Sequence, residues 1–335
     1  AALVRTGHSP RTDTVLIGEL APEGTEATDP TSPMTPMPFL RAMYCVDSAY
    51  RPLRGAAASA LGCPASGGAA AFVRANPGLF DATGFAHHPY SLFLAPDVSI
   101  DTDRNDVPIS DLGRLERGLD RIFAVYGVSR RLPLYLTEYG YATNPPNPFR
   151  PISLAQQAQY LDEAEYLAWR DPRVRALSQF LLQDSAPNAQ YPPGTLRYWS
   201  TFQTGLEFLG GRPKPALAAY RLPIWIPRAA GRVVTVWAML RPAPNGTRQR
   251  ARIIWQGPAG SGAPAGSAPP SGAVAPAGSA PAAAARVLAT VSTSNPSGIL
   301  ERRVVVPGAG QLWLAWTSPA GEVVRSRAVP VGGSG

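Results

Sequence analysis

Two glutamates close apolar, strand-like runs: T-V-L-I-G-E-L-A-P at 14–22 ends its run in Glu19, and P-L-Y-L-T-E-Y-G-Y at 133–141 ends in Glu138. Two carboxylates facing one pocket can divide the work of glycoside hydrolysis: one protonates the leaving oxygen while the other attacks the anomeric carbon or activates water. A solvated Glu opening a loop is the ordinary alternative for either position. The second run argues against it. Its apolar residues suit a buried strand rather than an edge, Gly140 permits a sharp exit, and Tyr139 and Tyr141 are placed to frame the Glu138 carboxylate.

The elements that must position these groups alternate. A helix is expected from Pro38 to Tyr44 and a strand at G-F-A-H-H-P-Y, 84–90. Over 109–127 Leu112, Leu115, Leu119, Ile122 and Phe123 recur at helical spacing, with Gly127 able to cap the end. Ser153 is a suitable N-cap for the next helix; a strand over 174–184 and a short helix over 214–221 follow. Strands alternating with helices predict an α/β fold with a parallel sheet, and function on such sheets gathers at strand C-termini. Glu19 and Glu138 share that face.

The order and spacing of V-L-I-G-E (Glu19), F-A-H-H-P-Y (His88, Tyr90), L-Y-L-T-E-Y-G-Y (Glu138) and Y-W-S-T-F-Q-T-G-L with R-P-K-P-A make residues 14–227 resemble the clan A glycoside hydrolases. Family 39-like and family 5-like members are nearest. The resemblance implies a (β/α)8 TIM barrel with the acid/base, Glu19, ending strand 4 and the nucleophile, Glu138, ending strand 7. It also implies retaining hydrolysis of a β-linked glycoside, a carbohydrate substrate, and neither metal nor organic cofactor. The 119-residue separation of the glutamates is what three intervening βα units need. The clan's His-x-Tyr pattern points to His88 and Tyr90 as substrate-binding residues, joined by Tyr139, Tyr141, Gln183 and Asp184. Trp199 fits the Trp that these enzymes place under the sugar. Strand alternation sends His87 and His88 to opposite sides, which excludes a metal site made from the pair. Two features depart from the pattern. Gly18 stands where the clan has Asn, and one strand, at 84–90, lies between the glutamate strands where the barrel predicts two. The Ala- and Gly-rich region 45–80 is expected to hide or replace the other. Residues 1–8 look like the tail of a helix. If the Glu19 strand is the fourth, the chain reads as a C-terminal portion of a longer protein carrying about strands 4 to 8. A small non-barrel α/β domain built on the same strands is the alternative.

At 335 residues the chain has room for two domains, and no apolar run approaches the ~18 residues of a membrane span. The net charge of +8 is almost wholly arginine, Lys214 being the single lysine. Scattered arginines beside abundant Ala, Gly and Pro read as coding bias, not as a nucleic-acid stripe. Cys45 and Cys63 either staple a local loop, consistent with an extracellular or cell-surface protein, or remain two buried thiols. Two cysteines and three histidines argue against a structural zinc site. His8, in the N-terminal loop, carries no role.

From 228 the pattern changes to short alternating runs, R-V-V-T-V-W-A-M-L, R-I-I-W-Q, R-V-L-A-T-V-S-T, R-R-V-V-V-P and Q-L-W-L-A-W-T. They predict a small all-β sandwich, immunoglobulin- or fibronectin III-like. The domains expected are therefore 1–227 and 228–335. An Ala/Pro/Gly/Ser run at about 257–285 lacks the apolar side chains to offset ordering entropy and is expected to be a disordered insertion in the sandwich. Trp237, Trp255, Trp313 and Trp316 are either its core or a sugar-binding row. Two further functions fit the same sequence: a non-catalytic extracellular carbohydrate-binding module, and a purely structural surface protein.

Overall fold

The computed structural model describes residues 12–24, 32–100, 103–241, 247–258 and 284–332. His8, the helix tail at 1–8 and most of the 257–285 run lie outside the described residues. The chain divides into two compact units, one of residues 1–153 and 167–211, the other of 154–166 and 212–335.

In the first unit, β1 (Leu16–Leu20), β2 (Gly84–His87), β3 (Leu134–Tyr139) and β4 (Val174–Gln179) form a parallel sheet in the order β1-β2-β3-β4. Four strands stand where five were expected. Between β1 and β2 the chain makes α1 (Pro36–Met43), α2 (Gly55–Ala60), α3 (Gly68–Ala75) and α4 (Pro77–Asp81), with no sheet strand among the described residues. The composition explains the difference: G-A-A-A-S-A and G-A-A-A-F are short of β-branched residues, and Ala has the highest helix propensity. Helices replace the second intervening strand. The expected strand over 174–184 stops at Gln179.

Cys45 and Cys63 form a disulfide across this helical segment, closing an 18-residue separation. A loop of that size predicts a loss of about 3 kcal/mol in the Cys45→Ser/Cys63→Ser variant; denaturant unfolding against the oxidised protein checks it.

Helix α5 (Leu112–Val125) buries Leu112, Leu115, Leu119, Ile122 and Phe123, the face its periodicity predicted. Tyr44, Phe72, Phe80, Phe123 and Tyr126 pack as one aromatic cluster with ring centroids 4.7–6.0 Å apart. Its two phenols are satisfied inside: Tyr126 donates to the Tyr44 carbonyl at 2.6 Å and Tyr44 to the Leu79 carbonyl at 2.8 Å. Every residue of β2 is buried, whereas the outer strands β1 and β4 leave several positions exposed.

The second unit takes Leu154–Tyr166 from helix α6 (Leu154–Arg170), then α7 (Pro215–Arg221) and eight strands. Strands β5 (Ile224–Ala230), β6 (Val233–Met239) and β9 (Ile299–Val305) form a three-stranded antiparallel sheet. Strands β7 (Gln249–Gln256), β8 (Arg286–Thr293), β10 (Gly310–Thr317), β11 (Val323–Arg325) and β12 (Val329–Val331) form a five-stranded one. Ile224, Val234 and Val236 from the first sheet and Ile253, Leu314 and Trp316 from the second share one apolar core. The expected boundary at 227/228 falls inside β5, which pairs with β6. Trp237, Trp313 and Trp316 are buried and Trp255 is partly buried, so they supply packing rather than an exposed row. The outer face of the three-stranded sheet is covered: Trp237 meets Tyr166 of α6 edge-on at 5.6 Å. Two ion pairs tie the same helix down, Asp162 to Arg327 and Glu165 to Arg241.

Candidate active site

Both glutamates sit where their strands break regular pairing. Between β1 and β2, Gly18 pairs with Ala86 and Leu20 with His87, leaving Glu19 as the extra residue of a bulge. Bulges re-aim a side chain and recur beside functional sites. Gly18 and Glu19 both have positive φ, 112° and 65°. For glutamate this conformation costs on the order of 1 kcal/mol, the kind of strain that clusters at active sites. On the other side, the β3–β4 register shifts between Leu136 and Tyr139. Strict alternation would send Thr137 and Glu138 to opposite faces; with the shift, both meet the same cluster.

The imidazole of His88 joins the two carboxylates. Its Nε2 contacts Oε2 of Glu19, and its Nδ1 lies 3.3 Å from Oε2 of Glu138. Thr137 donates its hydroxyl to Oε2 of Glu19 at 3.0 Å, and Tyr90 donates to Oε2 of Glu138, also at 3.0 Å. Each carboxylate is thus held through Oε2. The Oε1 atoms have no hydrogen-bond partner among the described residues. Desolvation and the adjoining Glu138 push the Tyr90 phenol well above its ordinary range, which keeps it a neutral donor.

The neighbouring His87 is fully buried, with Nε2 2.7 Å from the Val107 carbonyl. Burial lowers its pKa to about 4, so it is neutral and structural. The two histidines lie on opposite sides of the strand. Among the described residues no cluster of His, Cys, Asp and Glu could hold a metal ion.

The other expected site residues are placed as follows. Tyr139 and Tyr141 do not wall the carboxylate: each is 1% exposed, their hydroxyls lie 2.9 Å apart, and Tyr141 donates to the Leu94 carbonyl. Large apolar rings are drawn under the sheet end, and their placement leaves no surface for a sugar. Tyr139 instead stacks beneath Tyr90, centroids 6.3 Å apart, and so supports the ring that reaches Glu138. Gln183 and Asp184 lie beyond the end of β4. Gln183 donates to Glu207 at 3.1 Å and buried Asp184 accepts from the Gly205 amide at 2.9 Å, which braces 183–184 against 205–207. Trp199 packs edge-on against Tyr198, and its carbonyl accepts from Asn147. The aromatic directly ending β4 is Phe180, whose amide donates to the Tyr139 carbonyl at 2.8 Å. Thr137 was missed by the sequence reading, although it adjoins Glu138.

Gly18 also has a structural reason. A Cβ there would lie 2.5 Å from the Ala86 carbonyl oxygen and 2.8 Å from the Phe85 ring. The Asn expected from the clan pattern does not fit this bulge. Gly18→Asn is predicted to cost roughly 1–3 kcal/mol through positive φ and backbone contact, seen as a lower thermal midpoint, with no gain in turnover.

The carboxylates stand on an open face, the Glu19 side chain 55% and Glu138 33% exposed. A cavity of about 520 Å³ lies elsewhere, lined by Met34, Pro38, Arg41, Val46, Leu53 and Leu61. Its lining is mostly apolar, with Arg41, Asp47 and Ser48 as its polar members, and contains neither glutamate.

No protein-family model matches the sequence, and no curated protein sequence matches it. Among solved structures it is similar to a β-glucuronidase of Ruminococcus gnavus in complex with uronic isofagomine, at 13% identity over 42% of this chain and 22% of that one, TM-score 0.29. A calcium-binding mutant of Bacteroides uniformis β-glucuronidase 2 aligns at 11% identity over 78% and 26%, TM-score 0.30. A β-D-glucuronidase of Dictyoglomus thermophilum aligns at 14% over 40% and 21%, TM-score 0.26. The chain spans between 21% and 26% of the length of these proteins. Superpositions of that quality assign neither family nor chemistry to this chain.

Proposed function

We propose that the first unit carries a retaining β-glycosidase site, with Glu138 as nucleophile and Glu19 as acid/base, on a parallel sheet read as part of a (β/α)8 barrel. The supporting observation is the His88 bridge: one imidazole tethers both carboxylates through Oε2 and leaves each Oε1 without a protein partner. In the first step the free oxygen of Glu138 bonds to the anomeric carbon as the glycosidic C–O bond breaks, and Glu19 gives its proton to the leaving oxygen. In the second, Glu19 takes a proton from water, whose oxygen bonds to the same carbon and releases Glu138. Tyr90, Thr137 and His88 orient the pair through the bonds already described.

A panel of activated aryl β-glycosides, followed by NMR of the first-formed product, tests the reading. Turnover with retained anomeric configuration is expected; inversion, or no turnover on any member, overturns it. A second reading, sugar binding without turnover, is favoured by the exposure of Glu19 and by β1 lying at an open sheet edge among the described residues. Saturation-transfer signals from the same glycosides without product formation would select it.

A further inference from the structure

The charge of this chain is divided unevenly. Residues 212–335 hold fourteen basic and two acidic side chains, whereas 1–211 hold seventeen basic and twenty-one acidic. The positive excess belongs to the second unit, and its strand register gathers part of it on one surface. Helix α6 covers the outer face of the three-stranded sheet; on the five-stranded sheet Arg250, Arg252, Thr290 and Ser292 are exposed on the outer face. There Arg250 and Arg252 of β7 project outward, while Gln249, Ala251 and Ile253 turn into the core. Across the strands Arg252 pairs with Thr290 on one side and Ala315 on the other, and Ala315 pairs with Arg325. Arg250 pairs with Ser292, which also receives a bond from Arg248 at 3.4 Å. Neighbouring strands are ~4.8 Å apart, so Arg252 stands beside the Thr290 hydroxyl and Arg250 beside that of Ser292. They border a shallow groove of about 680 Å³ lined by Arg248, Arg250, Arg252, Thr290 and Thr317, with no carboxylate in it. Among the described residues neither Arg250 nor Arg252 has an ion-pair partner.

We propose that this groove binds a carboxylate-bearing polysaccharide, a polyuronate, and so holds the polymer that the glycosidase site acts on; the assignment of that role rests on the reading of the first unit. Guanidinium forks donate to carboxylates in bidentate geometry, and the neighbouring Thr and Ser hydroxyls suit sugar hydroxyls. A neutral glycan calls for an exposed aromatic platform, and single-stranded nucleic acid for rings on which bases stack. Among the described residues this face has neither: Trp316 is in the core and Trp313 lies under the Arg325 guanidinium, 4.1 Å from its ring centroid. The exposed groove lining is cationic and hydroxylated, with Val323 exposed beside Thr317 at its edge.

Affinity electrophoresis of the full chain in native gels containing polygalacturonate, or a neutral β-glucan, tests this. Retardation by polygalacturonate and not by the glucan is expected, weakening as salt is raised. Arg250→Gln/Arg252→Gln should lower polygalacturonate affinity about 100-fold, roughly tenfold for each charged hydrogen-bonding group. The corresponding double Lys variant, which keeps charge and loses the fork, should fall between. Arg303→Gln, an exposed change outside the groove, should leave binding as it was. Aryl glycoside turnover should be equal in all variants, so loss of groove binding and loss of the catalytic reading are separate outcomes. Absence of retardation, undiminished retardation of the double Gln variant, or equal competition by single-stranded DNA overturns the proposal.

Discussion

Glu138→Gln is expected to lower kcat on an activated aryl β-glycoside by at least about four orders of magnitude while leaving the thermal midpoint nearly unchanged. The amide is close to isosteric and still accepts the Tyr90 hydroxyl, so the local packing survives, but a neutral amide does not bond to the anomeric carbon. Removing the side chain entirely extends the test. In Glu138→Gly, azide can enter the vacated space and attack the same face, giving a glycosyl azide of inverted configuration. In Glu19→Ala the nucleophile remains, an activated leaving group departs unaided, and azide intercepts the glycosyl-enzyme to give the retained azide. Opposite configurations from the two variants assign the two roles. The same configuration from both, or activity in Glu138→Gln near that of the parent chain, contradicts the assignment.

Arg327→Ala should cost about 3–5 kcal/mol when Asp162 is ionised, because truncating one partner strands a buried charge. The Asp162 side chain is fully buried against the 16% exposed Arg327, which also donates to the Ile224 carbonyl at 3.2 Å. Burial pushes the Asp162 carboxyl up to about 8, with Arg327 pulling the other way. The folded chain therefore retains a proton that the unfolded chain has lost between about pH 4 and 8. The contribution of this carboxyl to stability is complete below that window and declines as pH rises through it. Hence the parent chain should unfold more readily at pH 9 than at pH 5. The added cost of Arg327→Ala should be large at pH 9 and smaller at pH 5, where Asp162 carries a proton. Urea unfolding at the two pH values checks both signs. A pH-independent cost for Arg327→Ala would show that the Asp162 carboxyl stays ionised throughout.

The features that were legible in the sequence are those written as local periodicity. Leu112 to Phe123 announced their helix, the apolar runs before Glu19 and Glu138 announced strands, and the alternating runs after 228 announced antiparallel sheets. What escaped depends on breaks in pairing that no periodicity records. The bulge at Gly18 and Glu19 aims the first carboxylate, and the register shift after Leu136 lets Thr137 and Glu138 act together. Tyr139 and Tyr141 were read as site walls because they flank Glu138 in sequence, whereas burial of their rings is set by packing beneath the sheet end. Strand β5 was missed because P-I-W-I-P carries prolines, which suit the edge position it occupies. The alternation R-Q-R-A-R at 248–252 did hold a signal that a count of scattered arginines passes over. Only the register with β8 and β10 turns it into a surface.

The most direct measurement is mechanism-based labelling of the full chain with a panel of activated 2-deoxy-2-fluoro β-glycosides, followed by peptide mass spectrometry. The electronegative substituent slows both steps and the good leaving group restores the first, so the glycosyl-enzyme accumulates. One added sugar per chain is expected, located on Glu138 and absent from Glu138→Gln. A sugar attached to Glu19 or to any other residue, or turnover of the parent glycoside with no covalent label on any member of the panel, would contradict it.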